Sequence, residues 1–271
     1  MKKRGFTLAE ILITLGIVGV VAALTAPALV MSSRNEANAA KLSVTVSNLE
    51  NAFTSMLVKE NVDSLFSTSA WGQVSNRAGF AGNIGQYLHT NGFRDSTAKE
   101  YYGGEYPHLM NTSGGDLGAD EKNVLSNLDA AANNNAGTNH VIELKNGTTV
   151  FIVPNTSQAP TEATKRAIIN AGGSLFNEAA NVFIDVNGVN SPNILGRDIF
   201  AFYLGDDGIL YPVGGVDVAA LDSSGSKDGI STTDVWNSAS AKTRSCLNGN
   251  IQAGGWGCTA RVIAEGYKIN Y

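Results

Sequence analysis

The chain has 271 residues, a net charge of −5 and only 16% charged residues, with 30 glycines and two cysteines. An acidic balance of this kind excludes nucleic acid as the principal ligand, because phosphate neutralisation needs basic patches. Two cysteines without partnered histidines exclude a structural zinc site.

The first 30 residues carry the strongest pattern. Lys2, Lys3 and Arg4 form a basic stub, Gly5-Phe6 follows, and an apolar run extends from Ile11 to Val30 with Glu10 at its edge. About 20 residues at about 1.5 Å each give roughly 30 Å, the thickness of a hydrocarbon core. Ile11, Leu12, Ile13, Leu15, Ile17, Val18, Val20, Val21 and Leu24 make the segment apolar on every face, as a lipid-bathed helix requires. The basic stub places the N-terminus on the cytoplasmic side and the remainder outside. A carboxylate at the membrane is costly unless paired, which marks Glu10 as a functional residue. Pro27 removes a backbone donor, so the sequence predicts a kink or local unwinding there. Two rival readings are a conventional signal with a small-residue site at Ala26-Pro27-Ala28, and a plain uncleaved anchor. Neither accounts for Gly5-Phe6 or Glu10.

Gly5-Phe6-Thr7-Leu8-Ala9-Glu10 with its apolar run resembles the processing signature of type IV prepilins and type II secretion pseudopilins. The resemblance implies cleavage between Gly5 and Phe6 by a prepilin peptidase, N-methylation of Phe6, and a first helix packed into the centre of a helical fibre. It implies that Glu10 pairs with the methylated amine of Phe6 on a neighbouring subunit, and that Pro27 is the helix-loosening proline often found there. Ala9 departs from the family pattern, which usually has a larger apolar residue at that place. The implied partners are copies of this chain or related pilins, the peptidase, an inner-membrane assembly platform and the membrane itself. The implied location is the inner membrane as a single-pass protein with an exported head, then a surface pilus or a periplasmic pseudopilus.

From Asn38 onward, Leu42, Val46, Leu49, Phe53, Met56 and Leu57 recur at spacings of three and four, with Asn48, Glu50, Asn51 and Lys59 opposite. This predicts an amphipathic continuation of the same helix to about Lys59 or Leu65. The expected organisation is a leader at 1–5, a transmembrane or fibre-core helix at 6–30, an amphipathic continuation at 31–65 and a globular head at 66–271. About 210 residues beyond the membrane helix suffice for one large domain.

Within the head, Ala81 to Thr90 reads as a short helix, and Thr112 to Asn139 as a surface insertion with a short helix around Glu121 to Ala132. His140–Lys145 and Thr148–Val153, flanking Asn146-Gly147, predict a hairpin with a two-residue turn. Gly172-Gly173-Ser174 reads as a break between helix and loop. Asn181–Val186 predicts a third strand, and Ile199–Leu204 with Ile209–Tyr211 around Gly205-Asp206-Asp207-Gly208 a second hairpin. Thr259 to Gly266 reads as a helix ended by glycine, with Tyr267 to Tyr271 extended. The fold class is therefore α+β: a long N-terminal helix on a mostly antiparallel sheet.

Cys246 and Cys258 read as a disulfide, because an exported chain with an even count at short spacing forms one. The closed loop of about 13 residues is worth roughly 3 kcal/mol. Asp185-Val186-Asn187-Gly188-Val189-Asn190 begins like a calcium loop, with Asn193 and Asp198 further on. The alternative for Asp185, Asn187, Asn193 and Asp198 is turn chemistry, since strands flank the segment and no terminal bidentate glutamate follows. His89, His108 and His140 lie scattered, with no nucleophile elbow, phosphate loop or His-Glu-x-x-His, so the chain is expected not to be an enzyme. Trp71, Trp236 and Trp256 read as core or loop anchors. An exposed patch near Trp256 and Arg244 would instead fit a tip subunit that binds a surface, a glycan or DNA.

Overall fold

The computed structural model describes residues 7–74, 76–88, 90–94, 101, 109–110, 140–155, 165–168, 174–190, 193–215, 246 and 257–271. Helix α1 runs unbroken over Leu8–Glu60. Its outer half buries Leu42, Val46, Leu49, Phe53 and Met56, the stripe that the spacing foretold, against one face of a sheet. The helix stops at Asn61, which adopts the left-handed conformation and donates its N–H to Leu57 and Val58, an asparagine version of the usual glycine cap. The continuation therefore ends at Glu60, at the nearer of the two expected bounds, and Leu65–Ser67 forms a separate 3-10 turn. Pro27 lies inside α1 without interrupting it, so the unwinding expected there does not occur. One turn has lost a donor while its neighbours keep the helical path.

Among the described residues the sheet contains β1 (Thr90–Arg94), β3 (His140–Leu144), β4 (Thr149–Pro154), β5 (Lys165–Ile168), β6 (Ser174–Asp185), β8 (Ile199–Gly205) and β9 (Leu210–Pro212). Its order is β1-β3-β4-β6-β8-β9, with β5 also paired to β6. All of these pairings are antiparallel. A small parallel pair joins β2 (Leu109–Met110) to β7 (Asn193–Ile194).

Successive side chains alternate between two cores, as the twofold period of a strand demands. Val150 and Ile152, Val182 and Ile184, and Phe200, Phe202 and Leu204 face α1. Phe151, Phe183, Ala201 and Tyr203 form the second core on the opposite face. Trp71, only 1% exposed, sits edge-on to Phe53 and Phe80. Its indole N–H donates to the Ala179 carbonyl, beside the bulge where the β6–β8 register shifts between Glu178 and Ala180.

Several expectations need correcting. The hairpin between β3 and β4 has a three-residue loop: Leu144 and Thr148 still pair, and Gly147 takes a positive φ of 81°. Glycine in the left-handed region lets a type I turn rejoin the strands, the next commonest hairpin solution. The β8–β9 hairpin repeats it, with Gly208 at φ 84°. Helix α2 spans Arg77–Gly85, four residues earlier than read, because the Asn76 side chain caps it by accepting from Gly79 N–H. The Gly172-Gly173-Ser174 stretch follows a strand, not a helix, since β5 and β6 flank it. Helix α3 (Cys258–Ala264) and Gly266 match the expected C-terminal element. The proposed helix at Glu121 to Ala132 lies outside the described residues.

Candidate functional site

Thr7 caps α1. Its hydroxyl accepts the Glu10 N–H at 3.3 Å, and the Glu10 carboxylate accepts from the Thr7 N–H at 2.8 Å and the Thr7 hydroxyl at 2.9 Å. This reciprocal pair satisfies donors that a helix start otherwise leaves bare. It also folds the only carboxylate of the apolar segment back onto the helix N-terminus, where the backbone dipole favours negative charge.

Beyond the cap, every residue from Thr7 to Arg34 is exposed. Leu8 is 78% and Leu24 75% exposed, and Ile13, Leu15, Ile17, Val18 and Val20 are similarly bare. The core helix of a water-soluble domain would bury this surface. Here the apolar stretch is long enough to cross a membrane and none of it is covered by the head. A contiguous apolar surface of this size marks a lipid or protein contact.

Where α1 reaches the head, polar side chains seat it. Asn35 Nδ2 donates to the Ile269 carbonyl at 3.3 Å, and Lys41 Nζ to the Val186 carbonyl at 3.2 Å. Asn38 Nδ2 donates to Asp198 Oδ1 at 2.7 Å and to the Arg197 carbonyl at 3.1 Å. Higher up, Glu50 accepts from Leu210 N–H and Glu60 from Ser69. Sequence reading missed Asn35 and Lys41 in this role and placed Glu50 on the outward face. Their only local signal is position along the flank of the apolar stripe.

The C-terminal segment completes the seat. Cys246 and Cys258 form a disulfide, with both residues fully buried. Cys258 presses on Gly196, where an added Cβ would lie 2.4 Å from the Cys258 Cβ and where φ is 79°. The Tyr271 hydroxyl donates to the Gly196 carbonyl, and Arg197 donates to the main-chain oxygen of Tyr271. Loop, disulfide and C-terminal segment thus converge under the foot of α1.

Of the four residues read as a calcium set, the two carboxylates already hold hydrogen-bond partners. Asp185 Oδ1 accepts from the N–H groups of Asn187 and Gly188, closing the turn after β6. Asp198 Oδ2 accepts from Ile194 N–H at 3.1 Å while Oδ1 takes Asn38. Asn193 Oδ1 is buried without a hydrogen-bond partner. Among the described residues no group of three or more His, Cys, Asp or Glu gathers at metal-binding distance. Turn and cap chemistry therefore accounts for both carboxylates. Burial pushes the Asp198 carboxyl up to about 6, against the pull of Ile194 N–H, Asn38, Arg197 and Arg34. Gly5, Phe6, Trp236, Arg244 and Trp256 lie outside the described residues.

The described residues thus define a head carried on a membrane-length apolar helix that the head leaves uncovered. Residues 1–26 match the prokaryotic N-terminal methylation motif, the signature of type IV prepilins and pseudopilins. No curated protein and no solved structure matches the chain. The architecture is pilin-like, and the motif supports a type IV pilin or pseudopilin, structural subunits rather than enzymes.

Proposed function

We propose that the chain is a structural subunit, major or minor, of a type IV pilus. A prepilin peptidase cuts between Gly5 and Phe6, and Phe6 is methylated. The subunit waits in the inner membrane on α1 with its head outside until an assembly platform feeds it into a fibre. The observation that supports this most directly is the uncovered apolar half of α1, carrying the methylation motif and rigidly continuous with the half that packs the head. In the fibre, helices from other subunits replace lipid, and dispersion plus shape packing drive association. The Glu10 carboxylate, held in the lone subunit by Thr7, exchanges those bonds for the Phe6 amine of a neighbour and sets the axial register. Losing that pairing would leave a charge in an apolar core, which selects against wrong registers.

A type II secretion pseudopilin shares the leader, the helix and the processing, and the motif favours neither. The large head leans towards a pilin. A tip subunit binding glycan or DNA would rest on Trp256 and Arg244.

The test is Glu10→Leu in the native host, with membrane and sheared-fibre fractions probed separately. The proposal expects the variant to accumulate in the membrane and disappear from fibres. Equal incorporation of variant and wild type would refute the pairing. Retention of wild type in the envelope, with secretion lost on deletion, would favour the pseudopilin.

A further inference from the structure

Beneath the head lies a cavity of about 620 Å³ that belongs to neither core. One wall is the face of α1 carrying Pro27, Val30, Met31 and Arg34, and the other is the head loop with Ile194 and Arg197. The wall residues change character along the helix axis. Pro27, Val30 and Met31 are apolar, whereas the helix sequence from Ser32 onward is Ser-Ser-Arg-Asn-Glu. A span of about 20 residues beginning at Ile11 leaves the hydrocarbon near Val30. Arg34 is therefore about one turn, or about 5.4 Å, beyond that boundary. The cavity straddles the level at which acyl chains give way to phosphates.

Arg197 faces this level from the head with donors to spare. A guanidinium has five N–H groups. One reaches the main-chain oxygen of Tyr271, and another rests 3.2 Å from the Met31 sulfur, a weak acceptor. Its Nε is buried without a partner. Arg34 is exposed on the opposite wall. Asp198 also lines the cavity, with its two oxygens engaged by Asn38 and Ile194. Two guanidiniums and one carboxylate are the charged side chains that line the cavity. In an acidic chain this is a local reversal of sign.

We propose that the cavity seats the headgroup of an anionic phospholipid from the outer leaflet, its phosphate between Arg34 and Arg197 and an acyl chain along Pro27 and Val30. Planar guanidiniums recognise phosphate oxygens through paired N–H groups, which gives geometry as well as charge. The occupant is a lipid because the apolar wall continues without a break into the uncovered membrane face of α1. The site would anchor the head at a fixed height above the membrane before assembly. The inference rests on the membrane-resident stage of the function proposed above.

The test uses the full chain in vesicles of equal parts phosphatidylglycerol and phosphatidylcholine, with a benzophenone side chain replacing the exposed Asn190 on the cavity rim. Adducts are identified by mass spectrometry after illumination. The basic stub at residues 2–4 lies on the far side of the membrane and does not contribute to labelling at this position. The expected result is a phosphatidylglycerol adduct about tenfold above phosphatidylcholine, the equivalent of about 1.4 kcal/mol. Arg34→Ala, a substitution at an exposed position, is expected to cut that preference at least threefold, and Arg34→Glu to abolish it. Arg197→Lys, which keeps the charge and loses the fork, is expected to weaken it less than Arg34→Glu. Equal labelling of the two lipids, a preference indifferent to Arg34→Ala, or adducts mainly with a second copy of the chain would overturn the proposal. Flotation of the same vesicles separates the two levels: protein that floats without lipid preference sinks this site alone. Protein that does not float removes the membrane reading as well.

Discussion

Replacing Asp198 by asparagine tests how the foot of α1 is held. In the folded chain the carboxyl is buried and its pKa stands at about 6 instead of 3.8, chiefly because burial disfavours the charged form. Between these two values the native state binds the proton and the unfolded chain does not. Stability from this group is therefore fully present below about pH 3.8 and is lost as pH rises through about 6. The gap from 3.8 to about 6 corresponds to about 3 kcal/mol. Asp198→Asn removes the titration. An amide oxygen can still accept from Asn38, but one acceptor cannot serve Asn38 and Ile194 N–H together, at a cost of about 1–3 kcal/mol for the group left bare. Near pH 7 the two effects roughly cancel. Near pH 4 most of the burial penalty is gone and mainly the loss remains, so wild type should gain about 2 kcal/mol on the variant between those pH values. The assay is urea unfolding of the full chain in detergent micelles, followed by tryptophan fluorescence, to which buried Trp71 contributes. A wild-type-to-variant difference that is flat between pH 7 and pH 4, or that grows with pH, would refute this account of the joint.

Gly196→Ala should destabilise the head by about 1–3 kcal/mol or more, because a side chain there meets both a left-handed backbone and the Cys258 Cβ. Unfolding midpoints and the rate of disulfide formation on refolding check it. Trp71→Ala should cost about 3–5 kcal/mol, since it empties the fully buried contact between Phe53 and Phe80 and orphans the Ala179 carbonyl on one side. The same urea titration, read by circular dichroism, measures it. Calcium at about 100-fold above a dissociation constant would add about 2.7 kcal/mol. The turn reading of Asp185 and Asp198 predicts no change in unfolding midpoint between calcium and chelator, and a rise would revive the calcium loop.

What the sequence revealed depended on how local the cause was. The exposed half of α1 is dictated by its own residues, because lipid or fibre contact requires apolarity on every face. The seated half followed from Leu42, Val46, Leu49, Phe53 and Met56, a stripe with one physical meaning. Gly147 and Gly208 announced the two hairpins, though the three-residue loop at Lys145–Gly147 depends on which strand residues pair. Strand β6 was read from Asn181 only, since Asn177 and Glu178 look like loop residues and are held in the strand by partners across a bulge. The polar seat was invisible. Asn35, Asn38 and Lys41 find acceptors 145 to 234 residues away, and no local pattern specifies such pairs. The calcium reading has a related root: alternating oxygens after a strand describe a turn as well as a ligand set.

The central claim is that the motif at the N-terminus is used. Intact-mass and N-terminal analysis of the protein from native membranes or sheared fibres tests it most directly. The account predicts a chain beginning at Phe6 with an added mass of about 14 Da for one N-terminal methyl group. A start after Ala28, or an unprocessed Met1, would contradict it and leave an exported or anchored head whose helix plays no part in a fibre.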